Sequence, residues 1–303
     1  MFKKLIFTLL VTVNIFCQAK ENVTIIYSWT AADGPANYSR TLIEEANKLQ
    51  NKYNFIFDTK PGAGGALAAN YVRTTSNTIL ATASAFFVRP NFFPNESYDI
   101  NAFKEIYLQC VAPMAIASVK YKNWAEVPKD KSLTIGVSGL GTTTHLFATQ
   151  LQTRYPLLNV IPFKSTSESL LSVASGNTDL HVAFFGEIET WGSENLKFSK
   201  LNVLGISGTR SIWGFETLQQ QGFGNRVANI SVPFHLIVPA NLPKNKFNDW
   251  RGILQQAGQI AAVRETYKID ACVPGNINDK DLDSWYQLQI LQWNQLSHGV
   301  KLE

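Results

Sequence analysis

Apolar and polar positions along the chain switch repeatedly between a strand-like and a helix-like spacing. Val23 to Trp29 (VTIIYSW) is a β-rich apolar run. TAADGPAN follows as a turn, with Pro35 suited to a first helical position. Tyr38 to Leu49 then has helical apolar spacing, broken by Arg40, Glu44, Glu45 and Lys48. Tyr53 to Phe57 predicts a strand, KPGAGG its turn, and Ala66 to Arg73 a helix. Thr78 to Ala83 predicts another strand that ends at Ser84.

The second half repeats the theme. Strands are predicted at Leu133–Val137, Asn159–Phe163, Leu180–Phe185 and Leu201–Ser207. Between them lie the turns SGLGTTT, KSTS and SGNTD, and helices over 145–154 and 168–174. Strand–turn–helix alternation of this kind predicts an α/β layer structure with parallel strands. Two longer β-rich runs stand apart, MAIASVK at 114–120 and ISVPFHLIV at 230–238, with a complete α/β set between them. After the second run only helices are predicted, around 244–267 and 279–298. A lobe inserted between two connecting strands explains this order. Lobe one would be 20–117 plus 235–303, and lobe two 118–234.

The N-terminus changes the picture in one respect. Lys3 and Lys4, an apolar run from Leu5 to Phe16 and small residues before a cut after Ala19 make residues 1–19 a signal-peptide layout. A lipid-attachment cysteine wants an aliphatic residue three before it and a small one just before it. Cys17 has Asn14 and Phe16 there, so simple cleavage and export to the periplasm are expected. No later segment is long and apolar enough to span a membrane. The formal charge of +4 falls to +2 without Lys3 and Lys4, and no basic run supports a nucleic-acid partner. Cys110 and Cys272 remain, either paired in an oxidising compartment or separately buried as thiols.

The glycine turns carry the candidate chemistry. A dinucleotide fingerprint needs a sixth-position glycine, where 62-GAGGAL-67 has Leu67, and a P-loop needs Gly-Lys-Ser/Thr. GLGTTT at 139–144 also lacks the lysine, so both nucleotide readings fail. What remains is general. The first N–H groups of a helix have no partner inside it, and the macrodipole makes that end partly positive. Glycine removes the Cβ atoms that would hold an anion away. One such turn is explained by tight-turn geometry alone. Two, one per expected lobe, at the carboxyl ends of parallel strands, point to an anion-binding crevice. Hydroxyls at Ser84, Ser138, Thr142, Thr143, Ser165 and Thr166 suit a polar organic anion.

PGAGG before a small-residue helix, SGLGTTTHL, a strand ending in PFK and a glycine turn leading to Asp179 recur here in one order. With the tail VRETYKIDACVPG, a long helix holding Trp293, and HGVKLE, the chain resembles the solute-binding receptors of tripartite tricarboxylate transporters, the TctC or Bug family. The likeness spans nearly all of the mature chain. It implies a two-lobed, periplasmic-binding-protein-like (Venus flytrap) fold with two crossover strands at the hinge. It also implies a monomer that captures a small organic acid and delivers it to a permease of one large and one small subunit. No catalytic group, metal or cofactor is implied. Carried over by position, the first-lobe contacts would be Trp29, Thr30, Ala31, Asp33, Gly64, Gly65 and Ser84. The second-lobe contacts would be Ser138, Gly139, Thr142, Thr143, His145, Ser165, Thr166 and Asp179, with Phe184 as a candidate stacking ring.

The chain departs from the family pattern in the first turn, TAADGPANYSR. Ala36 stands where an aspartate is usual, and the nearest acid is Asp33. A carboxylate there repels an anion beside it, so a cationic, hydroxyl or amide end of the ligand is expected to face lobe one. Trp29, Phe86, Phe87, Phe184 and Phe185 fall near strand ends, either stacking on a ligand or packing in the core. His145 either donates to a ligand or satisfies a neighbouring carbonyl, and Asp179 either contacts ligand or stabilises its turn. His181, His235 and His298 are too dispersed for a metal site. An exported hydrolase and a signalling receptor's ligand-sensing subunit are the alternatives. The serines at 138 and 207 lack the G-x-S-x-G frame, and no H-E-x-x-H is present.

Overall fold

A computed structural model describes residues 19–95, 98–194 and 201–300. The segment through Gln18, with Cys17 and the expected leader, lies outside the described residues. The first α/β run is β1 (Glu21–Tyr27), α1 (Ala36–Leu49), β2 (Tyr53–Thr59), α2 (Ala66–Thr74), β3 (Thr78–Ala83) and α3 (Ala85–Phe92). The long β4 (Phe103–Ser118) follows. The second run is β5 (Leu133–Val137), α4 (Thr143–Leu151), β6 (Leu158–Pro162), α5 (Thr166–Ala174), β7 (Leu180–Phe184), α6 (Phe185–Glu194), β8 (Asn202–Ile206) and α7 (Asn225–Ala228). The chain returns through β9 (Ser231–Pro239), α8 (Lys244–Gly258), α9 (Ala261–Ile269), β10 (Val273–Pro274) and α10 (Leu282–Ser297).

The sheet order is β2-β1-β3-β9-β4-β7-β5-β6, with β8 and β10 also pairing with β4. β1 is parallel to β2 and β3, and β5 is parallel to β6 and β7. The two parallel sets are joined by antiparallel β9 and β4. β4 serves both halves: its residues 103–113 pair with β9 and 114–118 pair with β7 and β8. The fold is therefore α/β and two-lobed; its connecting strand β4 starts well before the apolar pattern at 114–120 suggests, while β9 matches the expected 230–238 within one residue.

Local sequence explains the elements. In α1, Ala36, Ser39, Ile43 and Ala46 recur every three to four residues and are buried, with Tyr38 and Leu42 beside them. β3 is buried at every position, as a strand covered on both faces must be. α2 buries Ala66, Ala68, Ala69 and Val72, whose small side chains bring the helix close to the sheet. α3 was not legible as a helix because Pro90 lies inside it. Proline removes the N–H that would bond the Phe86 carbonyl. The Tyr98 hydroxyl donates to that oxygen instead, at 2.8 Å. The expected helix over 244–267 is two helices that break at Gln259 and Ile260. Cys110 on β4 and Cys272 beside β10 form a disulfide, which resolves the open question of their pairing.

Candidate functional site

The turns after β1, β2, β5 and β6 and the helix starts after β3 and β7 converge on one cavity of about 330 Å³ between the two halves of the sheet. This is the crevice that parallel strands create at their carboxyl ends. Its volume lies at the small end of the roughly 300–1,000 Å³ usual for organic ligands. Both glycine turns, 62–65 and 139–142, line it.

In the first turn Gly62, Ala63, Gly64 and Gly65 all have positive φ, at 127°, 47°, 57° and 95°. Glycine suits such a run because a Cβ is strained there. At Gly64 the space is also taken: a Cβ would stand 3.0 Å from Arg89 Nη1. The glycines thus let a left-handed turn lead into α2 while Arg89 lies against it. In the second turn Gly139 and Gly141 have φ of 105° and 67°. The Thr142 hydroxyl caps α4 by accepting the His145 N–H, and itself donates to the Gly139 carbonyl. The Ser138 N–H donates to the Thr144 hydroxyl at 3.0 Å. The amides of Thr143 and Thr144 have no partner inside the helix and stand at its electropositive end. Ser165 caps α5 in the same way through the Glu168 N–H.

The halves also meet directly. Ser84 Oγ and Thr143 Oγ1 are 2.7 Å apart, and both residues are buried. A Cβ on Gly141 would stand 2.6 Å from the Phe93 ring, so glycine is what lets this turn reach α3's end. The Phe184 and Phe234 rings are 4.8 Å apart, edge to face.

Charge is unevenly placed around the cavity. Arg89 is buried, with its guanidinium 4.3 Å from the Phe93 ring centre. Asp33 accepts hydrogen bonds from the Thr30 N–H at 3.0 Å and hydroxyl at 2.9 Å. Burial raises its pKa above the usual carboxylate value, and the Thr30 bonds oppose that only in part. Glu187, at the start of α6, is pushed well above the usual range by burial, then by Asp33 and Asp270, against the opposing hydrogen bonds of the Phe184 N–H and the Thr166 hydroxyl. Its Oε2 is shielded from solvent and has no hydrogen-bond partner.

Of the residues singled out by sequence, Trp29, Thr30, Asp33, Gly64, Gly65, Ser138, Gly139, Thr142, Thr143, Ser165, Thr166 and Phe184 line the cavity. Four others do not. Ser84 sits behind the wall, engaged with Thr143. Ala31 is turned outward, its carbonyl bonded by Arg40 at 2.6 Å. His145 is buried against the Phe92 ring, and burial lowers its pKa to about 4. Asp179 precedes β7, so it lies at the end of the strand opposite the crevice. There it ties Lys120 at 2.6 Å to the Thr134 N–H at 2.7 Å. Phe86, Phe87 and Phe185 are core residues. Sequence reasoning missed Tyr27, Arg89, Phe93, Phe163, Lys164, Glu187 and Phe234. The arginine and the glutamate belong to α3 and α6, which begin directly after their strands with no turn-forming residues to announce them. Among the described residues, no cluster of His, Cys, Asp or Glu could hold a metal ion.

Two parallel-strand lobes joined by antiparallel connectors, with helix openings facing one cavity, define a two-lobed ligand-capture receptor. The model of the tripartite tricarboxylate transporter family receptor, TctC, matches residues 39–302, and the chain belongs to this family. A Cupriavidus necator protein described as "UPF0065 protein in gbd 5'region" is 27% identical over 232 residues, covering 72% of this chain and 68% of that protein. The solved periplasmic binding protein BugD superposes with a TM-score of 0.80 at 21% identity, covering 91% of this chain and 96% of its own. MatC from Rhodopseudomonas palustris with bound malate superposes at 0.78 with 15% identity, covering 92% and 99%.

Proposed function

We propose that this protein captures a small organic carboxylate between its lobes and hands it to a membrane permease with one large and one small subunit. It works as a periplasmic monomer, released after Ala19, and does no chemistry on the ligand. The lobes comprise residues 20–117 with 235–303, and 118–234, and hinge on the paired strands β4 and β9. The observation that carries this reading is that the 62–65 and 139–142 turns line the same cavity. Bare amides at opposed helix openings, with hydroxyls from Ser138 and Ser165 beside them, are what a carboxylate needs. Membership of a transport-receptor family and the malate held by the similarly folded MatC support it.

A thermal-shift screen of the mature chain against small mono-, di- and tricarboxylates tests the reading. A ligand that binds only the folded state raises the melting temperature. The expected hit is recovered chemically unchanged after prolonged incubation. Conversion of the hit to a product, or no shift from any carboxylate, overturns the proposal.

A further inference from the structure

One corner of the cavity is not built for an anion. Asp33, on the turn after β1, and Glu187, at the opening of α6, both line it, one from each lobe. The two elements approach closely: a Cβ on Gly34, next to Asp33, would lie 4.0 Å from Glu187 Cγ, and both carboxyls act on the buried Tyr27 phenol. Asp270 is a third carboxyl whose charge acts on Glu187. The nearby Arg40 guanidinium is directed elsewhere, to the Ala31 carbonyl, the Asn37 side chain and the Phe57 ring. The walls here are aromatic. Tyr27 and Trp29 meet edge to face at 5.5 Å, and Phe184 and Phe234 also line the cavity.

A buried carboxyl oxygen without a hydrogen bond is uncommon and costly. Glu187 Oε2 is such an atom, and it belongs to a residue on the cavity wall. Carboxyls crowded together among aromatic faces are the surroundings that hold a cation, through charge, hydrogen bonds and ring quadrupoles together. Helix openings and Arg89 supply the opposite character elsewhere in the same space.

We propose that this receptor selects carboxylates that also carry a cationic amine, with the amine seated between Asp33 and Glu187 against Tyr27 and Trp29. The inference rests on the capture reading above and narrows it to amino carboxylates. Bringing an ammonium to Glu187 supplies the missing donor and drives the carboxyl towards its charged form. Two negative charges in a ligand would instead place one carboxylate beside Asp33.

The test is calorimetric titration of the mature protein with length-matched pairs. The pairs are glutarate with 4-aminobutyrate, adipate with 5-aminovalerate, and terephthalate with 4-(aminomethyl)benzoate. At least one amine is expected to bind more tightly than its dicarboxylate partner. D33N and E187Q are each expected to weaken that amine by roughly 10- to 100-fold, the value of a hydrogen bond to a charged group. Both variants should also narrow the preference against the dicarboxylates. Two separate variants keep the test decisive if one fails to fold, which circular dichroism reports. Tighter binding of the dicarboxylates, with D33N and E187Q leaving every preference unchanged, overturns the inference and leaves carboxylate capture standing. Binding of neither series by a protein that the thermal-shift screen shows to take another carboxylate overturns this inference alone; binding of no carboxylate at all overturns the capture reading, and this inference falls with it.

Discussion

The hydrogen bond between Ser84 and Thr143 links the two lobes at the back of the cavity. Ser84 follows β3 and Thr143 opens α4, so the bond exists only while the lobes are together. Both residues are buried, and the oxygens are 2.7 Å apart. In an opened form water reaches both hydroxyls. S84A removes one partner and leaves the Thr143 hydroxyl buried on closure. An unsatisfied buried polar group costs about 1–3 kcal/mol. Because that cost falls on the closed form alone, it appears in ligand affinity as a loss of roughly 5- to 150-fold. Resistance of the ligand-free protein to urea should change much less. T143V, which keeps the shape, should behave similarly, and the double variant should lose less than the two singles together. Titration calorimetry with a hit from the carboxylate screen gives the affinities, and small-angle scattering reports whether S84A shifts the ligand-free protein towards an extended shape. Unchanged affinity in S84A, or an equal loss of ligand-free stability, refutes the reasoning.

Gly141 should be intolerant for a related reason: G141A adds a Cβ 2.6 Å from the Phe93 ring at a φ of 67°, and is expected to weaken ligand binding in titration with a modest fall in melting temperature. The disulfide closes a loop of 162 residues; C110S/C272S should lower urea stability by roughly 2–5 kcal/mol and leave affinity nearly unchanged, since neither cysteine lines the cavity. Burial holds His181 down to about 3 and His145 to about 4, so below about pH 6.5 the unfolded chain takes up protons that the native chain refuses. Each histidine therefore subtracts stability as pH falls through that window, by about 1.4 kcal/mol per pH unit. The raised carboxyls at Asp33, Glu105 and Glu187 act in the opposite sense, because the native state protonates them first. Replacing one histidine isolates its share: urea midpoints of H181Q should fall less steeply than wild type between pH 6 and 4, and parallel curves would contradict the assignment.

The skeleton of the cavity was legible because β-to-α turns advertise themselves. Glycine at 62, 64, 65 and 139, and hydroxyls at 142 and 165, are required by positive φ and by helix capping, which are local demands. The charged groups were not legible. Arg89 is the fifth residue of a helix hidden by Pro90, and Glu187 lies in a helix that starts without a turn. Asp179 shows how chain order alone misleads. It follows a glycine turn, but it precedes its strand, and only the carboxyl ends of these strands meet the crevice. His145 sits in the right helical turn but on the face that meets Phe92. Which face a side chain takes is decided by tertiary packing.

The long strand β4 also dictates an order of events when the chain is made. Its first portion and β3 both pair with β9, which begins at Ser231, and its Cys110 must wait for Cys272. The amino-terminal hundred or so residues therefore cannot complete their own sheet as they emerge. Contacts this distant in sequence make assembly slow and late. Synthesis must reach well into the last third of the polypeptide before the first third can settle, so a truncated chain ending before Ser231 is left with open strand edges and a strong tendency to aggregate.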